Sequence, residues 1–274
     1  MTTRPFSLAA LTVLELSPPE MVEVAARAGY QQVGLRLIPA TPEEHHFPLV
    51  ADAALRRQTQ KRLNDTGISV LDVEILRLKP DTRIADDFAR VLEVGAELGA
   101  SQVLVAGNDD DENRLTDNFA ALCDLAAGFD LNPHLEFMPW TGVRDLAQAR
   151  RIVAAADRPN ACLLIDAFHF DRSGSRLTEL TEIPAHWMRY VQLCDVLGPR
   201  PDDMDEIIRQ ARQERCFPGD GDIDLKGLLA RLPADAPLSL EIPTQALRER
   251  GVSALERARM ALEKSQRLVD SLSD

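Results

Sequence analysis

The 274-residue chain predicts an α/β protein folded as a single (β/α)8 TIM barrel, one domain over residues 1–274. Three observations carry that expectation. Short apolar runs alternate with longer amphipathic stretches from one end to the other. Three junctions, AGYQQVGL, NDTGISVL and LGASQVLV, repeat the order helix, glycine-bearing turn, strand. The segment LTVLELSPPE after the first run contains no glycine, whereas a doubly wound open sheet normally carries a Gly-rich phosphate loop there. No Pro/Gly/Ser linker or low-complexity segment divides the chain.

In order, a first strand is expected at 6–10. The helix after it, at 19–28, has a start that suits Pro18 and Pro19 and an end that suits Gly29. A strand at 32–38 leads to a helix at 51–65, closed by Gly67, and a strand at 68–76 to a helix at 84–98, closed by Gly99. Strands at 102–106 and 134–137 precede helices at 115–127 and 143–156. The sixth strand is expected at 161–166, and the seventh, at 190–193, precedes a helix at 203–213. The LKGLLARL segment suits a helix capped by Asp224. A strand at 238–242 closes the set. The last helix, 253–271, brings Leu255, Ala258, Leu262, Val269 and Leu272 close to one face.

Composition narrows the partners. With 45% hydrophobic residues the chain can bury a large core. A formal net charge of −13 opposes a nucleic-acid partner, which needs a basic footprint, but allows a small anionic substrate held by one or two local arginines. Cys123, Cys162, Cys194 and Cys216 show no C-x-x-C spacing and read as reduced thiols. The opening MTTRPFSLAALTVLELSPPE is interrupted by Glu15 and lacks an A-x-A-like cleavage site, so a first strand is expected there rather than a signal peptide. No run approaches the ~18 apolar residues of a membrane span. These features predict a cytoplasmic protein acting on a small-molecule substrate, with no membrane partner and homo-oligomerisation left open.

Four polar side chains then stand out, one near the end of each of four successive apolar runs: Glu136 in HLEFMPW, Asp166 in CLLIDAFHF, Gln192 in RYVQLCDV and Glu241 in PLSLEIP. Each costs several kcal/mol inside a buried strand unless something compensates it. Adjacent barrel strands end about 5 Å apart on the catalytic face, so four inward side chains on strands five to eight can reach one cation. Three carboxylates and an amide carbonyl offer only oxygen, which suits Mn2+ or Mg2+ better than Zn2+. The competing reading is four unrelated polar residues at strand ends.

LEFMPW, LLIDAFHFDRSG, YVQLCD, PGDGDIDL and LSLEIP together resemble the sugar phosphate isomerase/epimerase family with the xylose-isomerase-like barrel, part of the AP endonuclease 2 superfamily. The glutamine of YVQ and the PGDGDI run are most similar to hydroxypyruvate isomerases. The resemblance spans most of the chain and is densest from about position 134 onward. It implies a divalent metal held by Glu136, Asp166, Gln192 and Glu241, with Glu136 and Glu241 also handling protons. Many relatives carry histidine where Gln192 stands, a departure that weakens the case for zinc.

The resemblance also places His169 beside that site, donating to substrate or to a ligand; the other reading is a histidine capping or packed under the next helix. It suggests that Arg215 clamps a substrate oxygen, against a surface arginine paired with Glu214 or Asp220. Arg36, ending strand two in VGLRLIP, is expected to contact a substrate carboxylate or phosphate in preference to a buried pair with Glu74. Glu74 is then either Arg36's partner or a hydroxyl-binding group. Trp140 either lines the pocket as an apolar wall or fills the core. His45 and His46 read as solvated loop histidines.

A cation between two glutamates suits binding of adjacent carbonyl and hydroxyl oxygens and formation of an ene-diolate. Proton transfer between neighbouring carbons makes an aldose–ketose isomerase, and return to the opposite face makes an epimerase of a small sugar, keto sugar or hydroxy-keto acid. The alternative is a dehydratase of a cyclic keto-polyol such as a keto-inositol or dehydroshikimate, in which the same enolate expels water. A DNA endonuclease of the superfamily needs a histidine-rich three-zinc site, and this chain has five histidines in all. A non-catalytic sugar-binding barrel predicts a defective ligand quartet, whereas all four positions here carry competent ligands.

Overall fold

The computed structural model describes residues 4–272. Eight parallel strands close into a barrel in sequence order. They are β1 (Phe6–Leu8), β2 (Gln32–Arg36), β3 (Ser69–Leu78), β4 (Gln102–Gly107), β5 (Asn132–Glu136), β6 (Cys162–Asp166), β7 (Val191–Leu193) and β8 (Leu238–Leu240). The helices in order are α1 (Pro18–Ala28), α2 (Ala53–Thr66), α3 (Ile84–Glu97), α4 (Glu112–Ala127), α5 (Leu146–Ala156), α6 (Ala167–Arg172), α7 (Met204–Gln213), α8 (Leu225–Leu229), α9 (Gln245–Glu249) and α10 (Ala254–Asp270). No helix among the described residues is long and apolar enough to cross a membrane.

The punctuation read from the sequence is where the helices begin and end. Pro18 and Pro19 open α1, and Gly29, Gly67 and Gly99 follow α1, α2 and α3 with φ of 103°, 72° and 81°. Asp224 accepts from Gly227 N–H at 2.9 Å and caps α8. Three starts fall away from their expected positions because an aspartate caps each: Asp52 starts α2 two residues late, Asp111 starts α4 three residues early, and Asp145 starts α5 three residues late. On α10, Ala258 and Leu262 are buried, while Leu272 lies past the helix end and is exposed.

Strand alternation sorts the side chains into two sets. Val33 and Leu35, Val103 and Val105, Leu163 and Ile165, and Leu238 and Leu240 face outward into the main core beneath the helices. Their neighbours Leu104, Ala106, Leu164 and Tyr190 belong to a separate cluster inside the barrel. Gly34 also faces inward. A Cβ there would meet Asp72 Oδ1 at 2.6 Å, so the glycine admits that carboxyl beside β2. His134 lies in the same interior layer, with Nε2 2.8 Å from Gln102 Oε1 and its ring 4.6 Å from that of Tyr190.

Strand ends differ from expectation by two residues at β1, β2, β3, β5 and β8, and the last strand and β3 bear on the site. β8 ends at Leu240, so Glu241 sits just past the strand and not within it. β3 runs two residues beyond its expected end, and its register with β4 shifts between Val73 and Leu76. Val73, Leu76 and Leu78 all face outward in consequence. After β7, Asp195 accepts backbone N–H bonds from Val196, Gly219, Gly221 and Ile223 at 2.9, 3.0, 3.0 and 3.1 Å. It also exchanges backbone hydrogen bonds with Cys216, at 2.9 and 2.8 Å. The PGDGD turn is thereby folded around one carboxylate.

Candidate active site

The C-terminal ends of β5 to β8 bring Glu136, Asp166, Gln192 and Glu241 together, all buried. Alternation is the cause: each follows an outward residue (Leu135, Ile165, Val191 or Leu240) and therefore turns inward. Asp166 caps α6 through Oδ1, which accepts His169 N–H at 2.9 Å, while Oδ2 accepts Arg215 Nη1 at 2.7 Å. Glu241 Oε2 lies 2.8 Å from Arg215 Nη2, and Oε1 accepts Gln192 Nε2 at 3.3 Å. Glu136 Oε1 and Gln192 Oε1 are buried with no hydrogen-bond donor. His169 Nε2 is 3.8 Å from Glu136 Oε1, and its ring packs edge-on against Trp140 at 5.1 Å.

A cavity of 220 Å3 opens over this group. Trp140, Met138, Ile75 and Leu104 give its lining apolar surface, and Arg36, Glu44, Glu74, Arg77 and Arg212 give it charge. His45 and His46 are exposed and lie outside this lining.

The electrostatics follow from burial. Burial holds the Glu136 carboxyl well above the usual carboxylate range, and the Asp166 and Glu241 charges add to the shift. Burial also pushes Glu241 up to about 7, against the pull of Arg215. Burial would raise Asp166 too, but Arg215 and His169 outweigh it and hold that carboxyl below its ordinary value. His169 is pushed down by burial to about 4, so at neutral pH its ring is an uncharged donor of one N–H.

These side chains fit a divalent cation. Orphaned buried oxygens require a donor or a cation, and two such oxygens, Glu136 Oε1 and Gln192 Oε1, belong to this group. Ligand atoms of Glu136, Asp166 and His169 also lie within 4.8 Å of one another. His169 thus brings a nitrogen to a set read from the sequence as oxygen only.

Two expectations need correction. Arg215 is buried, not a surface residue, and its fork bridges Asp166 and Glu241, so it is not free for a substrate oxygen. Arg36 is likewise not free: Nε lies 3.1 Å from Glu74 Oε1 and Nη1 lies 3.1 Å from Glu44. Releasing either guanidinium to a substrate would strand buried carboxylates. Glu74 is therefore Arg36's partner.

Glu44, Arg77 and Arg212 escaped the sequence reading. Glu44 sits in the loop TPEEHH, where nothing distinguishes it from a solvated charge. Arg77 carried a usable signal, a cation inside the apolar run VEILRL. Period-two counting from Glu74 turns it outward, however, and only the register shift in β3 brings both residues to the cavity.

The chain matches the xylose isomerase-like TIM barrel family over residues 22–267. It is 29% identical over 239 residues to a 3-dehydroshikimate dehydratase of Pseudomonas putida, a match covering 82% of this chain and 36% of that protein. The chain thus spans about a third of the length of that relative. It is 25% identical to an inosose isomerase of Bacillus velezensis over 77% of each chain. A crystal structure of IolI protein with a bound zinc atom superposes with a TM-score of 0.80 at 21% identity, covering 98% of this chain and 99% of that one.

Proposed function

The chain belongs to the xylose isomerase-like TIM barrel family, and from that premise we propose that it is a cation-dependent enzyme that enolises a small hydroxy ketone. The observation that carries the reading is the convergence of four buried ligand groups from successive strands with two of their oxygens unpartnered. Glu136, Asp166, Gln192 and Glu241 would hold the ion, with His169 beside them, and Mn2+ or Mg2+ is the expected occupant. Bound there, it would supply Lewis-acid polarisation of the substrate carbonyl.

The chain's own groups supply the rest. Glu136 ends β5 and Glu241 follows β8, so the two reach the cavity from different strands; one would take a proton from the carbon next to the carbonyl and the other would return one. Arg215 holds Asp166 and Glu241 in place through its two amino nitrogens. His169 presents a neutral N–H against Glu136, and Trp140 keeps water off that side. Returning the proton to carbon makes the reaction an isomerisation or epimerisation.

A second reading, dehydration, is favoured by the 29% identity to a protein named for that activity. In it, the electron pair released by deprotonation expels the hydroxyl from the next carbon, and the hydroxyl leaves as water with a proton from the site. The test is incubation of Mn2+- or Mg2+-loaded protein in deuterium oxide with ketoses, keto-inositols and 3-dehydroshikimate. Exchange of the α-proton, seen by NMR, supports enolisation, and ultraviolet absorbance of a conjugated product marks dehydration. Absence of both exchange and product with every substrate would defeat the proposal.

A further inference from the structure

One buried hydroxyl is tied to the backbone on both sides of Glu241. β1 and β8 pair in parallel as far as Leu8 and Leu240, and Ala9 N–H continues the ladder by donating to Leu240 O at 3.2 Å. In an unbroken parallel ladder the Ala9 carbonyl would next accept Ile242 N–H. The chain turns instead at Ala10–Val13, a single turn of 3₁₀ helix, and the Ala9 carbonyl accepts Thr12 N–H at 3.2 Å. Ile242 is fully buried, so its N–H needs another acceptor. Thr12 Oγ1 supplies it. That oxygen accepts Ile242 N–H at 2.8 Å and donates its proton to Leu240 O at 2.7 Å. Thr12 is itself buried, and Arg257 Nη1 donates to its carbonyl at 2.9 Å.

We propose that Thr12 is the positioning residue for Glu241, holding through one hydroxyl the two peptide planes that meet at the Glu241 Cα. The inference rests on the cation-holding and proton-transfer roles proposed above for Glu241. Those two planes set φ and ψ of that residue, and with them the direction in which its side chain leaves the barrel wall. Toward β7 the first plane has a second hold, Glu241 N–H donating to Leu193 O at 3.3 Å, whereas the N–H of the second plane rests on Thr12. A swing of roughly 15° over the roughly 4 Å from Cα to a glutamate carboxylate moves its oxygens by about 1 Å, a misplacement that costs on the order of a hundredfold in rate. The task demands one atom that both donates and accepts, which a threonine or serine hydroxyl provides and a valine of the same shape does not.

The test compares Thr12→Val, which loses the hydroxyl, with Thr12→Ser, which keeps it and loses the methyl. Mn2+ alone is titrated into each protein, with the free ion followed by electron paramagnetic resonance. Affinity should weaken about fivefold or more in Thr12→Val and stay within about twofold of the wild type in Thr12→Ser. With a ketone that the wild type enolises, kcat for α-proton exchange should fall at least about tenfold in Thr12→Val while KM stays within about twofold, and Thr12→Ser should recover most of the rate. A threonine that only supports the fold would lower the melting temperature of Thr12→Val without moving Mn2+ affinity or kcat, and that result overturns the inference. A Thr12→Ser variant as impaired as Thr12→Val overturns it too, by assigning the effect to the methyl. Should Thr12→Val not fold, amide hydrogen exchange of the wild type decides: Ile242 N–H is expected among the slowest amides, and rapid exchange there refutes the clamp. A wild type that enolises no ketone, but whose Mn2+ affinity drops in Thr12→Val alone, keeps the clamp and loses the enolising role. A wild type that neither binds Mn2+ nor enolises a ketone overturns the reading of the site, and this inference with it.

Discussion

In the proposed mechanism, substitution of Glu136 or Glu241 separates proton transfer from cation binding. Each glutamine variant keeps an oxygen at the site and removes the carboxylate. Turnover should fall by roughly 10²-fold or more in both, with cation affinity weakened less. Steady-state rates on a confirmed substrate with saturating cation decide it, and near-normal turnover in either variant removes that residue from the mechanism. His134 gives a prediction of another kind. Burial pushes its ring down to about 3, against about 6.5 in an unfolded chain. Between those values the unfolded state binds the proton and the folded state does not, so stability must fall as pH drops through that window. The slope approaches ~1.4 kcal/mol per pH unit for one such group. Urea midpoints measured from pH 7 to pH 4 should therefore decline more steeply in the wild type than in His134→Gln; parallel declines would refute the assignment. The quartet was legible because four polar residues interrupt apolar strands. The roles of Arg36 and Arg215 were not, since a sequence shows a cation at a strand end but not the carboxylates that fold back onto it.

The helices and turns were legible wherever a backbone demand selects one residue type. Gly29, Gly67 and Gly99 occupy positive φ, and Asp224 caps its helix. Boundaries slipped where an aspartate not counted as a cap sets the start, as at Asp111 and Asp145. Strand β3 was misjudged for a different reason. Alternation is a rule about an unbroken ladder, and a register shift reverses its phase without leaving a mark in composition. The turn after β7 yields a prediction at this scale. Asp195 collects four backbone N–H bonds and anchors the segment that carries Arg215, whose own N–H is held by Pro243 O at 3.0 Å. Asp195→Ala should cost at least about 3 kcal/mol by leaving those donors unmet. It should also lower turnover, because Arg215 loses its footing. Thermal melts and rates measured on the same preparation check both, and a variant as stable as the wild type would show the turn to be held by other means.

The barrel as a whole should survive removal of the proposed cation. Asp166 and Glu241 are bridged by Arg215, so two of the three ligand carboxylates keep a positive partner in the protein itself. Chelation is expected to abolish turnover while leaving the far-ultraviolet circular dichroism spectrum unchanged, with full recovery when Mn2+ or Mg2+ is returned. Unfolding on chelation would mean that the ion, and not Arg215, holds the strand ends together. The closed strand order also divides the circumference into two arcs. Glu136, Asp166, Gln192 and Glu241 come from the ends of β5 to β8, whereas Arg36, Glu74 and Arg77 come from β2 and β3, with Asn108 just past β4. The proposed cation-holding groups thus come from one contiguous stretch of chain, and Arg36, Glu74 and Arg77 from another that meets it across one cavity. Such a molecule lends itself to half-barrel exchange: grafting the first four strand–helix units of a relative onto the last four of this chain should keep the proposed ligand quartet whole while replacing the Arg36–Glu74 side of the cavity.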